Sequence, residues 1–80
     1  DQAEQLLLDM GFHQVRVRIH GEGEAAMARI EVLPQEIPIL IEAAKRERIY
    51  SYFKEIGFAY VTLDLGGYRM GSMNVGIIEH

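Results

Sequence analysis

Gly11–Gly21 reads Gly-Phe-His-Gln-Val-Arg-Val-Arg-Ile-His-Gly, and this stretch decides the fold of the chain. Its first glycine ends a predicted helix, and an alternating strand begins a few residues later. Because successive side chains of a strand point to opposite faces, the apolar and cationic residues separate. The apolar side consists of Val15, Val17 and Ile19, and the cationic side of Arg16, Arg18 and His20. The stretch therefore predicts a sheet with a core on one face and a cationic surface on the other.

The remaining sequence supplies the elements that can cover the apolar side of this strand. Apolar residues at helical spacing indicate helices, and apolar residues that alternate with polar ones indicate strands. Glycines and prolines mark where these segments end. In chain order we predict a helix over Asp1–Met10, strands over Gln14–His20 and Ala26–Val32, a short helix from Gln35, a longer helix over Arg46–Ile56 and a strand over Tyr60–Leu65. The first two strands are expected to pair as an antiparallel hairpin with their apolar sets on the same side.

One pattern occurs twice in the sequence. Asp9–Gly21 and Glu55–Gly67 each contain a helix end, a glycine, a phenylalanine and an alternating strand. The second copy directs three apolar residues of the third strand toward the core, namely Val61, Leu63 and Leu65. The repeat indicates one supersecondary unit that is used twice.

These elements predict an α+β fold of order α-β-β-α(α)-β, a two-layer sandwich in which helices cover one face of a three-stranded sheet. The other face of the sheet is left open. The third strand could pair with the first strand and complete an all-antiparallel sheet, or with the second strand through a right-handed parallel crossover. We expect the first of these arrangements.

Length and composition restrict the class of protein. The 80 residues form a single domain, and a balance of 12 acidic against 8 basic residues, net charge −4, disfavours a nucleic-acid-binding protein. The sequence has no cysteine and therefore no disulfide, thiolate metal site or thiol nucleophile. The apolar runs, Ile39–Ile41 among them, are far too short to cross a membrane, and a cytoplasmic location is expected.

The open face of the predicted sheet concentrates the polar residues of the strands. It carries Arg16, Arg18, His20, Arg29, Glu31, Thr62 and Asp64. Arg16 and Arg18 lie roughly 7 Å apart on one side of a strand, a spacing that can bracket a phosphate or sulfate. The alternative is that the arginines pair with Glu31 and Asp64 on a solvated surface. Residue chemistry alone favours that alternative, because exposed ion pairs are common and need no ligand.

Carboxylates allow a second kind of site. Glu4, Glu31 and Asp64 could supply oxygen ligands to a hard cation, but their spacing is not diagnostic and a solvated surface is the simpler interpretation. The tail at 68–80 has no clear periodicity. The segment at 66–74 could wrap a ligand, but a flexible linker or a packed terminal strap is more common for such a segment. The sequence contains no Walker-type loop, zinc motif or catalytic triad.

Three segments together resemble one known family. They are Gly11–Arg18, then Ala28–Val32, which reads Ala-Arg-Ile-Glu-Val, and then Gly57–Asn74, which contains Tyr-Val-Thr-Leu-Asp-Leu and Gly-Tyr-Arg-x-Gly-Ser-Met-Asn. In order and spacing they are similar to the C-terminal domain of the ATP-dependent sacrificial sulfur transferase family LarE, which is part of the ExsB-like PP-loop pyrophosphatases. The resemblance covers nearly the whole chain, and its most specific part runs from Tyr60 to Asn74. The hairpin loop at 21–27 is a few residues longer than the usual family pattern.

The resemblance implies that residues 1–80 are the single C-terminal domain of a longer PP-loop protein. In such a protein an N-terminal PP-loop domain uses ATP and Mg to adenylylate a nicotinic-acid-derived nucleotide, and a cysteine then gives up its sulfur for nickel-pincer nucleotide biosynthesis. The PP-loop and the sacrificial cysteine are outside this sequence, so the chain alone is expected neither to be an enzyme nor to hold a cofactor. The implied partners are a nucleotide-type small-molecule substrate, the protein's own N-terminal PP-loop domain and further copies in a homo-oligomer.

The resemblance also implies roles for individual residues. Arg16 and Arg18 match the paired arginines that bind a substrate phosphate in the family, which reverses the preference for a solvated surface. Glu4 and Glu31 match family acids near a metal site at a subunit contact. The implied function is substrate-phosphate binding and assembly within a sulfur transferase. The alternative is a stand-alone interaction or ligand-sensing module without catalysis, and an autonomous small enzyme is least favoured because no nucleophile–base pair stands out.

Overall fold

A computed structural model describes residues 1–69 of the chain. The element bounds are α1 Gln2–Asp9, β1 Val15–His20, a 3₁₀ helix at Gly23–Ala25, β2 Met27–Val32, a second 3₁₀ helix at Pro34–Glu36, α2 Ile37–Leu40, α3 Ala43–Glu55 and β3 Tyr60–Leu63. The predicted α+β class and element order are confirmed. Within the described residues no helix has both the length and the apolar character needed to span a membrane. Most of the predicted tail, 70–80, lies outside the described residues.

The two copies of the repeated pattern fold in the same way where their helices end. Gly11 follows α1 with φ +102° and Gly57 follows α3 with φ +118°, values that glycine adopts without the steric cost of a side chain. In both copies the glycine N–H donates to the carbonyl three residues back, and the N–H of Phe12 or Phe58 donates to the carbonyl five residues back. This pair of bonds is the Schellman motif, which turns the chain off the helix. Both phenylalanines then pack into or against the core.

β1 and β2 form the predicted antiparallel hairpin. Val15 lies opposite Val32 and Val17 opposite Ile30, so the apolar residues of both strands share one face. The helices pack on that face. The core between the layers consists of Ala3, Leu6, Leu7, Phe12, Val17, Ala28, Ile30, Val32, Leu40, Ile49 and Phe53. Since a shift of one residue would turn every apolar side chain to the other face, burial of this set fixes the register.

The position of the third strand corrects the predicted sheet. β3 pairs with β2 in parallel and the strand order is β1-β2-β3, so the expected all-antiparallel arrangement with β3 beside β1 is wrong. The outer edge of β1 is occupied by Glu4 of α1, whose Oε2 accepts a hydrogen bond from the Val17 N–H at 2.9 Å. The long connection through α2 and α3 instead brings β3 to the other edge of β2, since parallel neighbours need such a crossover.

Two residues that the alternation assigns to the core are exposed. Leu65 is 81% exposed because β3 ends at Leu63, so this side chain lies beyond the sheet. Ile19 is 56% exposed near the hairpin end of β1. The inward positions that remain in β3, Val61 and Leu63, pack against the core as predicted. α3 begins at Ala43, three residues before the predicted start at Arg46, so only residues 41–42 separate it from α2.

Candidate functional site

The sheet face opposite the helices gathers the charged residues of all three strands. We call it the open face; it comprises Arg16, Arg18 and His20 of β1, Arg29 and Glu31 of β2, Thr62 of β3, and Asp64 and Tyr68 just after β3. The register places Arg16 opposite Glu31, and Arg29 between Arg18 and Thr62. The alternation in the sequence predicted all of these residues except Tyr68.

Glu31 is the electrostatic centre of the open face. It is only 8% exposed although it carries a charge, and its Oε2 lies 3.2 Å from Arg29 Nη2 and 3.8 Å from Arg18 Nε. Arg29 also approaches Asp64, with 3.9 Å between Nε and Oδ2. A buried carboxylate needs such partners, because burial of an unpaired charge is costly. Arg18 and Arg29 thus pair with a carboxylate, as the alternative of surface ion pairs predicts. The carboxylate of Glu31, however, is buried and not solvated.

Arg16 has a different environment from the other two arginines. It lies directly opposite Glu31 in the register, yet that carboxylate turns toward Arg18 and Arg29. Instead, Arg16 Nη2 donates a long hydrogen bond of 3.4 Å to the Tyr68 hydroxyl, and its Cζ lies 5.4 Å from the centroid of the Tyr68 ring. Among residues 1–69 no carboxylate forms an ion pair with Arg16. Its positive charge is therefore not neutralised by this part of the chain.

Tyr68 reaches the end of β2 near Arg16 because the chain continues along β2, in the same direction, after β3. We call residues 64–68 the strap. The Asp64 N–H donates to the Ile30 carbonyl at 2.9 Å, and the Tyr68 N–H donates to the Val32 carbonyl at 2.6 Å. Gly67 has φ +78°, and a Cβ at that position would lie 2.8 Å from the Val32 carbonyl oxygen, so only glycine fits this close approach.

Sequence reasoning assigned Tyr68 to an aperiodic tail and missed its place on the open face. The local signal was the pair Gly66–Gly67, which indicates a turn. A turn signal does not specify where the next side chain goes, because that depends on hydrogen bonds to a strand far away in the sequence. The alternation in β2 predicted that Arg29 lies on the open face, but the sequence did not predict a binding role for it.

The two predicted metal ligands each have other partners in the structure. Glu4 accepts the Val17 N–H at the edge of β1, and Glu31 lies between two arginines. Within residues 1–69 no three His, Asp or Glu side chains come together in a way that could hold a metal ion. The donor set of residues 1–69 by itself does not fit a metal centre. A metal role for Glu4 and Glu31 at a subunit contact stays a prediction.

A second buried carboxylate, Glu36, lies at the end of the 3₁₀ helix that follows β2. Its Oε2 is 2.5 Å from His13 Nδ1, and its Oε1 accepts the His13 N–H at 3.1 Å. A carboxylate has no proton to give when ionised, so the His13 ring is the donor. The ring hydrogen bond lowers the pKa of Glu36, with a further contribution from the backbone N–H, and these outweigh burial, which raises it. These hydrogen bonds link the connection between α1 and β1 to the segment that follows the C-terminal end of β2.

Known proteins are similar to this chain over most of its length. Over 72 residues the chain is 42% identical to pyridinium-3,5-bisthiocarboxylic acid mononucleotide synthase of Lactiplantibacillus plantarum, a match that covers 90% of this chain and 24% of that protein. The predicted resemblance to LarE is confirmed. The chain is also 40% identical over 72 residues to an uncharacterized protein of Synechocystis, a match that covers 90% of this chain and 25% of that protein. No family model matches the chain.

The chain thus spans about a quarter of the length of these relatives. The names of these relatives therefore describe much longer proteins, and any activity, substrate or partner of this chain is a proposal.

Proposed function

We propose that this LarE-like chain is the substrate-phosphate-binding and assembly domain of an ATP-dependent PP-loop sulfur transferase of nickel-pincer nucleotide biosynthesis. The relative from Lactiplantibacillus plantarum is named as the synthase of a mononucleotide, and a mononucleotide carries a phosphate. The residues proposed to bind that phosphate are Arg16 and Arg18. The observation that carries the proposal is the cationic open face, with Arg16 paired to no carboxylate of residues 1–69.

The charges of the open face support binding of a dianion. Three arginines face two carboxylates there, although the chain as a whole has a net charge of −4. A phosphate monoester carries about −1.5 to −2 charges near neutral pH, and a guanidinium can donate two parallel hydrogen bonds to its oxygens. Arg16 and Arg18 project from alternate positions of one strand, so both can reach one phosphate group.

The remaining parts of the proposal concern the longer protein. ATP and Mg are proposed to act at its N-terminal PP-loop domain, and the sulfur is proposed to come from a cysteine outside this sequence. Homo-oligomers are proposed from the family resemblance, and the cytoplasmic location expected from the sequence is kept as part of the proposal. Sedimentation of the full-length protein, with and without this domain, tests the assembly role: loss of the oligomer on deletion is the expected result.

Substitution of the two arginines tests the binding role. In the full-length protein we expect Arg16→Ala and Arg18→Ala each to weaken nucleotide binding by about 1.5–3 kcal/mol, the range for hydrogen bonds to charged groups. Arg16→Ala should lie at the upper end, since Glu31 already offsets part of the Arg18 charge. Isothermal titration with nicotinic acid mononucleotide measures the change.

A matched control is available on α3. Arg48 is exposed on that helix, away from the strands, so Arg48→Ala removes the same charge without altering the open face. Unchanged affinity in all three variants would contradict the proposal and leave the arginines as surface charge. A loss of equal size in all three would indicate a general effect of net charge instead of a site.

A stand-alone interaction module is the second candidate, and one surface feature favours it. A shallow apolar depression of about 250 Å³ lies between α3 and β3, and exposed Ile41 and Tyr50 are among its lining residues. Exposed apolar surface of this kind can bind another protein. If phosphate and mononucleotide fail to bind the full-length protein while substitutions at Ile41 and Tyr50 change its assembly, this second candidate is supported.

A further inference from the structure

We infer that Tyr68 is a positioning residue that orients the Arg16 guanidinium toward an anionic ligand. This inference rests on the proposed function, in which Arg16 binds a phosphate group. It adds a residue from outside the arginine strand to the site. It also gives the strap a role in binding.

The geometry supports orientation of Arg16 without loss of its charge. The Arg16 Cζ lies 5.4 Å from the Tyr68 ring centroid and Nη2 lies 3.4 Å from the hydroxyl oxygen. A cation above an aromatic ring is attracted by the negative ring face, and this limits the rotamers of a long, flexible side chain. A carboxylate in the same place would also orient the guanidinium, but it would cancel the charge that an incoming phosphate needs.

Tyr68 is itself held in place through its backbone. Its N–H donates to the Val32 carbonyl at 2.6 Å, and the preceding Gly67 fits closely against Val32 and Pro34. The ring therefore starts from an anchored main chain at the end of β2, rather than from a free tail. This anchor explains how a residue 52 positions away in sequence can control Arg16.

The partner choice of Glu31 supports the same conclusion. Glu31 is opposite Arg16 in the strand register, where a direct ion pair would be the simplest contact. Its carboxylate instead serves Arg18 and Arg29. The open face thus contains two kinds of arginine: two share a buried carboxylate, and one is oriented by an aromatic ring.

The test titrates inorganic phosphate and nicotinic acid mononucleotide into the full-length protein, wild type and Tyr68 variants. Affinity is measured by calorimetry, and the Nε–Hε signal of Arg16 is followed by NMR in the 80-residue chain. We expect Tyr68→Ala to weaken binding about three-fold, the fold-change that corresponds to an exposed cation–π contact. Tyr68→Phe keeps the ring and should retain most of the affinity. Tyr60→Ala is the matched control and should change nothing, because Tyr60 is an exposed tyrosine at the start of β3, opposite Met27 and at the other end of β2 from Tyr68.

A merely structural role for Tyr68 would not move the Arg16 signal on its own. We expect Tyr68→Ala to shift the Arg16 Nε–Hε resonance toward the values of exposed arginines, while the amide spectrum of the core stays unchanged. If Tyr68→Ala does not fold, Tyr68→Leu replaces it, because leucine fills the volume without offering a π face.

The outcomes separate the two proposals. If the wild type binds phosphate, Arg16→Ala weakens binding and Tyr68→Ala does not, the positioning role is overturned and the proposed function stands. If the wild type binds neither phosphate nor mononucleotide up to tens of millimolar, the proposed function fails and the positioning role fails with it. Loss of affinity in Tyr68→Ala with retention in Tyr68→Phe supports the inference.

Discussion

The two helix–glycine–phenylalanine–strand units of the chain lie on opposite edges of the same central strand. Each ends its helix with a Schellman motif, places a phenylalanine against the core and continues into a strand beside β2. The first unit runs antiparallel to β2 and the second runs parallel to it. Similar local sequences therefore gave similar local structures but opposite pairings with the same partner.

The units differ most in the hydrogen bonds that hold their strands and connections in place. In the first unit, Glu4 caps the free edge of β1 and Glu36 binds the connection at His13. In the second unit, β3 is shorter, and the strap that follows it bonds to β2 at two carbonyls. The first unit is thus held by side-chain carboxylates and the second by the backbone. The strap also delivers Tyr68 to the arginines of the first unit, so the open face depends on both units.

The largest difference between the units is expected at their phenylalanines. Phe12 is 4% exposed within the core, whereas Phe58 is half-buried at its margin. Phe12→Ala should lower the free energy of unfolding by about 3–5 kcal/mol, because it removes a buried ring and leaves a cavity, and Phe58→Ala should cost roughly half as much. Urea denaturation followed by circular dichroism measures both values. Equal losses would show that the two units contribute alike to the core.

A smaller effect is expected at the edge of the first unit. Glu4→Ala leaves the N–H of buried Val17 without its acceptor, which should cost about 1–2 kcal/mol of unfolding free energy. Glu4→Gln keeps an acceptor oxygen and should lie close to wild type in the same urea experiment. If Glu4→Gln destabilises as much as Glu4→Ala, the charge of Glu4 matters more than its hydrogen bond.

The smallest effect is expected at His13, and it depends on pH. The pKa of Glu36 is below its ordinary value of 4.5, chiefly because of the His13 ring hydrogen bond. A lowered pKa in the folded state contributes stability above the ordinary pKa, and this contribution is lost as the pH falls through the lowered value. His13→Ala should therefore cost about 1 kcal/mol near neutral pH. The deficit relative to wild type should vanish in acid.

The measurement compares urea midpoints of wild type and His13→Ala from about pH 6 down to about pH 3, a range that spans the ordinary carboxyl pKa. His20→Ala is the matched control, since His20 is exposed at the end of β1. A deficit in His13→Ala that stays constant across this range would show that the contact does not depend on ionised Glu36.

Much of the candidate site could be predicted from the alternation in the strands. The pattern of β1 and β2 put Arg16, Arg18, Arg29 and Glu31 on one face, and the structure places them there. The ion pairing within that face could not be predicted. The strand register specifies which backbone positions are neighbours, but a long side chain can reach several partners. Glu31 lies opposite Arg16 and yet pairs with Arg18 and Arg29. Tyr68 was missed because it enters the site through contacts distant in sequence.

The sequence by itself determined where α1 and α3 end, the hairpin and its register. These depend on local conformation, such as the positive φ of a glycine after a helix, and on a two-residue alternation that fixes which face of a strand is buried. Tertiary structure alone decided that β3 lies beside β2 and that Tyr68 lies over Arg16. Alternation identifies a face but not a neighbour, and the choice of neighbour depends on which strand edge is still free. In this fold Glu4 occupies the edge of β1, and the open edge of β2 receives β3 and the strap.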